Sequence, residues 1–137
     1  MRRLLTASSV ALLALFAAGA LAAGGHDRVV GNCTKSQVKP TTIVLACADD
    51  NAYVAQISWS SFGGATASGS GQFYDNPCTP NCAASKDQVT AVSFSLSRPR
   101  RCPGGVNDYR RMSITFTAAP PKHYGLHYSP ALYCPIP

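Results

Sequence analysis

Two stretches decide the fold: Val89-Thr90-Ala91-Val92-Ser93-Phe94-Ser95-Leu96-Ser97, and Arg110-Arg111-Met112-Ser113-Ile114-Thr115-Phe116-Thr117. In the first, Val92, Phe94 and Leu96 alternate with Ser93, Ser95 and Ser97; in the second, Met112, Ile114 and Phe116 alternate with Ser113, Thr115 and Thr117. Successive side chains of a strand point to opposite faces, so each stretch has one dry face and one wet face. That is the pattern of an antiparallel sheet with water on one side.

Working outward, the same period recurs upstream. Thr41 to Cys47 sends Ile43, Leu45 and Cys47 to one side, and Tyr53, Ala55, Ile57 and Trp59 do so in the next segment. Ala48-Asp49-Asp50-Asn51 between them is a turn signal, so the two form a hairpin. From Ala65 to Tyr74, Ala65, Ala67, Gly69 and Gly71 alternate with polar residues, which lets a backbone or a ring such as Trp59 or Phe62 pack closely. Asn76 to Ala84, with Pro77, Pro80, Cys78 and Cys82, reads as an irregular loop. Ala118 to Pro137 carries Pro120, Pro121, Pro130, Pro135 and Pro137 and reads as an extended tail over the sheet, held by Cys134.

No segment keeps a helical period. The expectation is an all-β domain: a small disulfide-braced antiparallel β-sandwich, immunoglobulin-like in architecture, or a partly open barrel. Residues 1–22 read as a cleavable signal peptide. Arg2 and Arg3 form its basic start, an apolar run follows from Leu4 to Leu21, and Ala20-Leu21-Ala22 is the cleavage site. Neither a twin-arginine nor a lipoprotein signal fits, and no stop-transfer charges follow, so no transmembrane segment is expected after cleavage. Residues 23–39 read as an extended leader and 40–137 as one β domain with its tail.

Removing residues 1–22 leaves ten basic residues against six acids, all Asp, and a net charge of about +4. An exported chain of this size with six cysteines (Cys33, Cys47, Cys78, Cys82, Cys102 and Cys134) reads as three disulfides. Spacing alone leaves 15 connectivities. Loop-closure entropy favours Cys33 with Cys134, a bridge worth about 4 to 5 kcal/mol. The other four then pair across the body, either as Cys47 with Cys82 and Cys78 with Cys102, the preferred arrangement, or as Cys47 with Cys78 and Cys82 with Cys102. Cys78 with Cys82 ranks last, because that loop is very short and contains Pro80.

The blocks from Pro40-Thr41-Thr42-Ile43-Val44-Leu45-Ala46-Cys47-Ala48-Asp49-Asp50-Asn51, through Ile57-Ser58-Trp59-Ser60-Ser61-Phe62-Gly63, to Asn76-Pro77-Cys78-Thr79-Pro80-Asn81-Cys82-Ala83 resemble a group of small secreted actinobacterial proteins. The resemblance covers roughly residues 40–102, with Phe62 standing where a second Trp is expected. It implies an extracellular or cell-envelope location and carries over no catalytic or binding residue.

Hydrolytic chemistry needs a carboxylate pair, a nucleophile beside a histidine, or a metal cluster. His26 falls in the leader, and His123 and His127 in a tail too rich in Pro for a zinc-binding helix face. Ser70 lacks a nucleophile-elbow frame, and pairing all six thiols leaves no nucleophilic Cys. Asp49, Asp50 and Asn51 could offer oxygens to calcium, but such clusters more often bond their own turn. The expectation is therefore no enzyme, no catalytic residue, no metal and no cofactor.

Charge gives the one site expectation. Arg98, Arg100 and Arg101 leave one strand and Arg110 and Arg111 open the next, so a hairpin would gather five guanidinium groups at one end of the domain. Such an end would attract anionic cell-envelope polymers or surfaces, or a protein partner; no nucleic-acid motif is present. A second expectation is a protease inhibitor presenting Asn76 to Cys82 or Arg100-Arg101-Cys102-Pro103 as a pre-ordered loop. Tyr53, Trp59, Phe62 and Tyr74 could form a sugar-stacking platform, though a lone Trp ending an inward series reads as core.

Overall fold

The computed structural model describes residues 29–136, so the expected signal peptide over 1–22 and His26 lie outside the described residues. Within them the chain is all-β, with strands β1 (Val29–Asn32), β2 (Lys35–Gln37), β3 (Ile43–Val44), β4 (Ala52–Ser61), β5 (Ala67–Asp75), β6 (Gln88–Arg101), β7 (Asn107–Phe116) and β8 (His127–Tyr128). Strands β3 to β8 form a six-stranded antiparallel sheet in sequence order, and β1 and β2 form a separate two-stranded ribbon. Three disulfides brace it, as suits an extracellular protein. Among the described residues no helix is long and apolar enough to cross a membrane.

The sheet is strongly curled but not closed. Trp59 of β4 meets Phe94 of β6 edge to face at 5.3 Å, and Phe73 of β5 meets Phe116 of β7 at 5.2 Å. Backbones of strands two apart stand about 10 Å from each other, so these rings lean inward over the strand between them, as on a concave face. The ribbon strand β1 lies against both β3 and β7, the first and fifth strands of the sheet, and so covers the mouth between them. The expected leader therefore contains a structural element over 29–37.

The alternation read in β6 and β7 places Val92, Phe94, Leu96, Met112, Ile114 and Phe116 in the core. In β4 the expected phase holds only for the second half. Gln56 adopts φ 53° and the β4–β5 register shifts between Ala55 and Ser58, so Ala52 and Val54 point inward before the bulge, and Ile57 and Trp59 after it. Tyr53 consequently lies on the outer face, stacked on its ladder partner Tyr74 with centroids 4.7 Å apart and planes 5° from parallel. The close-packing expectation for β5 is correct in kind but not in partner. The ring against Gly69 is Phe94, and the Ala55 and Ser58 carbonyl oxygens of the bulged strand press on Gly71 and Gly69.

All six cysteines pair, but in none of the three expected combinations: the bonds are Cys33–Cys47, Cys78–Cys82 and Cys102–Cys134. Loop entropy ranks bridges by what they remove from the unfolded chain, whereas the native pairing is set by which Cα atoms lie within reach. Cys33, in the ribbon turn, lies 5.3 Å from Cys47 just beyond β3, and Cys134 lies 5.6 Å from Cys102 across the β7 edge. The short loop ranked last closes because it folds on itself: Asn76 Oδ1 accepts from the Cys78 amide at 2.9 Å, Asn76 Nδ2 donates to the Cys82 carbonyl at 3.2 Å, and Asn81 Oδ1 accepts from the Ala84 amide at 2.9 Å.

Candidate functional site

The β6–β7 hairpin carries the five arginines, and its turn is tighter than the sequence suggests. Ladder pairing continues through Pro99↔Tyr109, Arg100↔Asp108 and Arg101↔Asn107. The Cys102 amide then donates to the Val106 carbonyl at 2.8 Å, and the Gly105 amide to the Cys102 carbonyl at 3.0 Å. Gly104 and Gly105, at φ 89° and 86°, take the left-handed backbone that closes the turn.

The arginines divide into two groups. Arg98, Arg100 and Arg101 are exposed at the end of β6. Arg101 reaches back over the turn, so that a Cβ on Gly105 would lie 3.4 Å from its Nη2. Their backbones pair in the ladder, but no side-chain hydrogen bond joins these three guanidinium groups to another described residue. Arg98 also sits at φ 57°, a left-handed conformation that side chains other than glycine and asparagine seldom adopt.

Arg110 and Arg111 are half-buried and tie down the C-terminal segment instead. Arg110 donates from Nε to the Leu132 carbonyl at 2.8 Å and from Nη1 to Cys134 Sγ at 2.8 Å, while Arg111 Nη1 reaches the Ser129 carbonyl at 3.4 Å. The backbone follows the same course. Met112 N–H donates to the Pro130 carbonyl and Leu132 N–H to the Arg110 carbonyl, so the tail runs along the free edge of β7 as the expected extended segment held by Cys134. Of the five, Arg98, Arg100 and Arg101 are thus the solvent-facing cations at this end of the hairpin, with the consecutive Arg100 and Arg101 on opposite faces of the strand.

Asp108 is fully buried and accepts from the Ser36 hydroxyl, which fastens the ribbon to β7. Tyr109, also fully buried, accepts from the Gly63 amide at 3.2 Å and donates to the Gly64 carbonyl at 2.8 Å, joining the β4–β5 turn to the same hairpin. Neither role could be read from the sequence, because both depend on strands far apart in the chain.

The other candidate groups are engaged elsewhere. Asn51 donates from Nδ2 to Asp49 Oδ2 at 2.7 Å, the self-bonded turn. Trp59 Nε1 donates to the Pro40 carbonyl at 3.0 Å, and the ring packs on Phe62 and Phe94, so it belongs to the core. Ser70 is exposed on the outer face. His123 and His127 are exposed, with His127 Nδ1 3.2 Å from Thr115 Oγ1. Among the described residues no group of three or more His, Cys, Asp or Glu side chains is placed to hold a metal ion.

At the far end of β5, Asp75 is buried and accepts from the Tyr124 hydroxyl at 3.1 Å. Burial first and the Asp75 carboxylate second push the Tyr124 phenol well above the usual tyrosine range, and the same causes raise Tyr128. This corner is a packing feature: Phe73, Phe116, Tyr124 and Tyr128 meet there edge to face or tilted. The chain matches no family model, no curated protein and no solved structure.

Proposed function

We propose that this chain is an exported, non-enzymatic extracellular or cell-envelope protein that binds anionic polymers or surfaces through the end of its β6–β7 hairpin. The observation that carries the reading is the trio Arg98, Arg100 and Arg101: exposed, close in sequence, and with guanidinium groups that hydrogen-bond no other described residue. Arg98 adds to it, since a side chain kept where glycine would be less strained points to a role for that side chain. The signal-like start of the chain and its likeness to secreted actinobacterial proteins belong to the same reading. The rigid turn and the Cys102–Cys134 bridge hold the three cations on a fixed edge, which lowers the ordering cost of meeting a polyanion.

The test is co-sedimentation with isolated cell walls and with phosphatidylglycerol vesicles across a salt series. Binding should weaken as salt rises and be lost in the Arg98→Ser, Arg100→Ser, Arg101→Ser variant. Binding that ignores both salt and those substitutions would remove the mechanism.

A second reading, protease inhibition, rests on the exposed segment Thr79-Pro80-Asn81, closed by its own disulfide. The other candidate loop is poorly suited, because Arg100 and Arg101 already spend their backbone on the β7 ladder. Stoichiometric inhibition of subtilisin or trypsin, abolished by replacing residues 79–81, would support this reading; slow digestion without inhibition would dismiss it.

A further inference from the structure

A cavity of about 500 Å³ opens between the Cys33–Cys47 and Cys102–Cys134 bridges, lined by Cys33, Cys47, Arg110, Tyr133, Cys134 and Ile136. That volume lies within the range of about 300 to 1,000 Å³ typical of small-molecule sites. Its wall is mostly apolar, and the Arg110 guanidinium is the one charged side chain that lines it. We propose that this cavity binds a small amphiphilic carboxylate, with its anionic head on Arg110 and its apolar body along Tyr133 and Ile136.

Charge supplies the first argument. Arg110 is half-buried, and its bonded partners among the described residues are neutral: the Leu132 carbonyl and the disulfide sulfurs of Cys134 and Cys102. A guanidinium offers five N–H donors in a planar fork, and the hydrogens of Nη2 bond no described residue. A cation drawn partly out of water with no counter-ion among the described residues is costly, and a carboxylate matches its geometry with paired, charge-assisted hydrogen bonds. One cation in the wall specifies a single negative charge.

The second argument is the rim. Tyr133 and Ile136 are 61% and 70% exposed, two of the large apolar side chains left in water among the described residues, and both border the cavity. Covering them yields roughly 25 cal/mol per Å² of apolar surface, a gain open only to a ligand with an apolar body. The walls are fixed by two disulfides and by the bond from the Ile136 amide to the Cys33 carbonyl at 3.3 Å, so the site is largely formed before the ligand arrives. Arg98, Arg100 and Arg101 do not line it, and the proposal stands apart from the polyanion reading.

The experiment is calorimetric titration of the full chain with sodium decanoate, kept below its micelle-forming concentration, and with 1-decanol. Saturable one-to-one binding of decanoate is expected, with decanol at least tenfold weaker. Arg110→Gln should erase that preference. Because Arg110 also anchors the tail, Ile136→Trp provides a second variant: it fills the cavity from an exposed position and should weaken decanoate at least tenfold with an unchanged melting temperature. The Arg98→Ser, Arg100→Ser, Arg101→Ser variant should bind decanoate as the parent does. Decanol binding as tightly as decanoate, unsaturable heats, or full decanoate affinity in Ile136→Trp would each overturn the proposal.

Discussion

Gly69 and Phe94 face each other across the β5–β6 ladder so closely that a Cβ on Gly69 would lie 2.9 Å from Phe94 Cζ, with the Ser58 carbonyl oxygen at 2.6 Å. The ring could tilt, but the carbonyl belongs to the bulged stretch of β4 and can yield only by moving backbone. Gly69→Ala should therefore destabilise by about 1 to 3 kcal/mol, the usual cost of overpacking. In a domain of this size that lowers Tm by roughly 5 to 20 °C. Gly64→Ala, whose Cβ would meet only the Thr66 carbonyl at 3.6 Å, is the control and should leave Tm almost unchanged. Equal melting of the two variants in a calorimetric scan would contradict the contact.

Tyr124 predicts the alkaline behaviour. Its phenol is held above the ordinary value by burial and by Asp75, so the stability it contributes is fully present below the free-tyrosine value near pH 10 and is lost as pH rises through its higher folded value. Tyr128 acts in the same direction. Tyr124→Phe strands the buried Asp75 oxygen and should cost about 1 to 3 kcal/mol at neutral pH. It should also flatten the loss of stability above pH 10, as read from urea midpoints measured from pH 7 to 11. A variant with the parental alkaline slope would show that the slope arises elsewhere.

Arg98 allows function and stability to be separated. Arg98→Gly relieves a left-handed backbone and should stabilise the fold by about 1 kcal/mol while weakening polyanion binding. Thermal melting and the cell-wall assay read the two effects independently. A variant that melts lower would mean that Arg98 holds structure after all.

The three bridges should differ in worth according to the loop each closes. Their sequence separations are 32 for Cys102–Cys134, 14 for Cys33–Cys47 and 4 for Cys78–Cys82. Loop-closure entropy then gives about 4, 3 and 2 kcal/mol for replacing each pair by Ser. The first figure is a lower bound, because Arg110 Nη1 loses its Cys134 acceptor as well. Denaturant midpoints of the three double variants should follow this order; a Cys78→Ser, Cys82→Ser variant less stable than Cys102→Ser, Cys134→Ser would refute it.

These variants also mark how far the residues alone disclose the molecule. Val92, Phe94 and Leu96, and Met112, Ile114 and Phe116, were legible because nothing interrupts their period of two. Tyr53 and Ala55 lie on the face opposite to the one their alternation with Ile57 and Trp59 implies, because the Gln56 bulge reverses the phase of β4, and no local residue announces a bulge at a glutamine. The arginine cluster was visible as charge, but its division was not. Arg110 becomes an anchor only because Leu132 and Cys134, more than twenty residues away, come to lie beside it. The cavity was likewise hidden, since its wall joins the ribbon turn at Cys33 to the tail at Ile136.

The six cysteines pair consecutively along the chain, first with second, third with fourth and fifth with sixth, so none of the three bridges encloses or crosses another. The strands of the main sheet obey the same rule, each lying beside its neighbour in sequence. A polypeptide emerging amino end first can therefore complete each thiol pair as soon as its second member appears, and lay each new strand on the one just delivered. An oxidant that merely joins thiols in order of arrival builds the native set, with no wrongly paired species to unscramble.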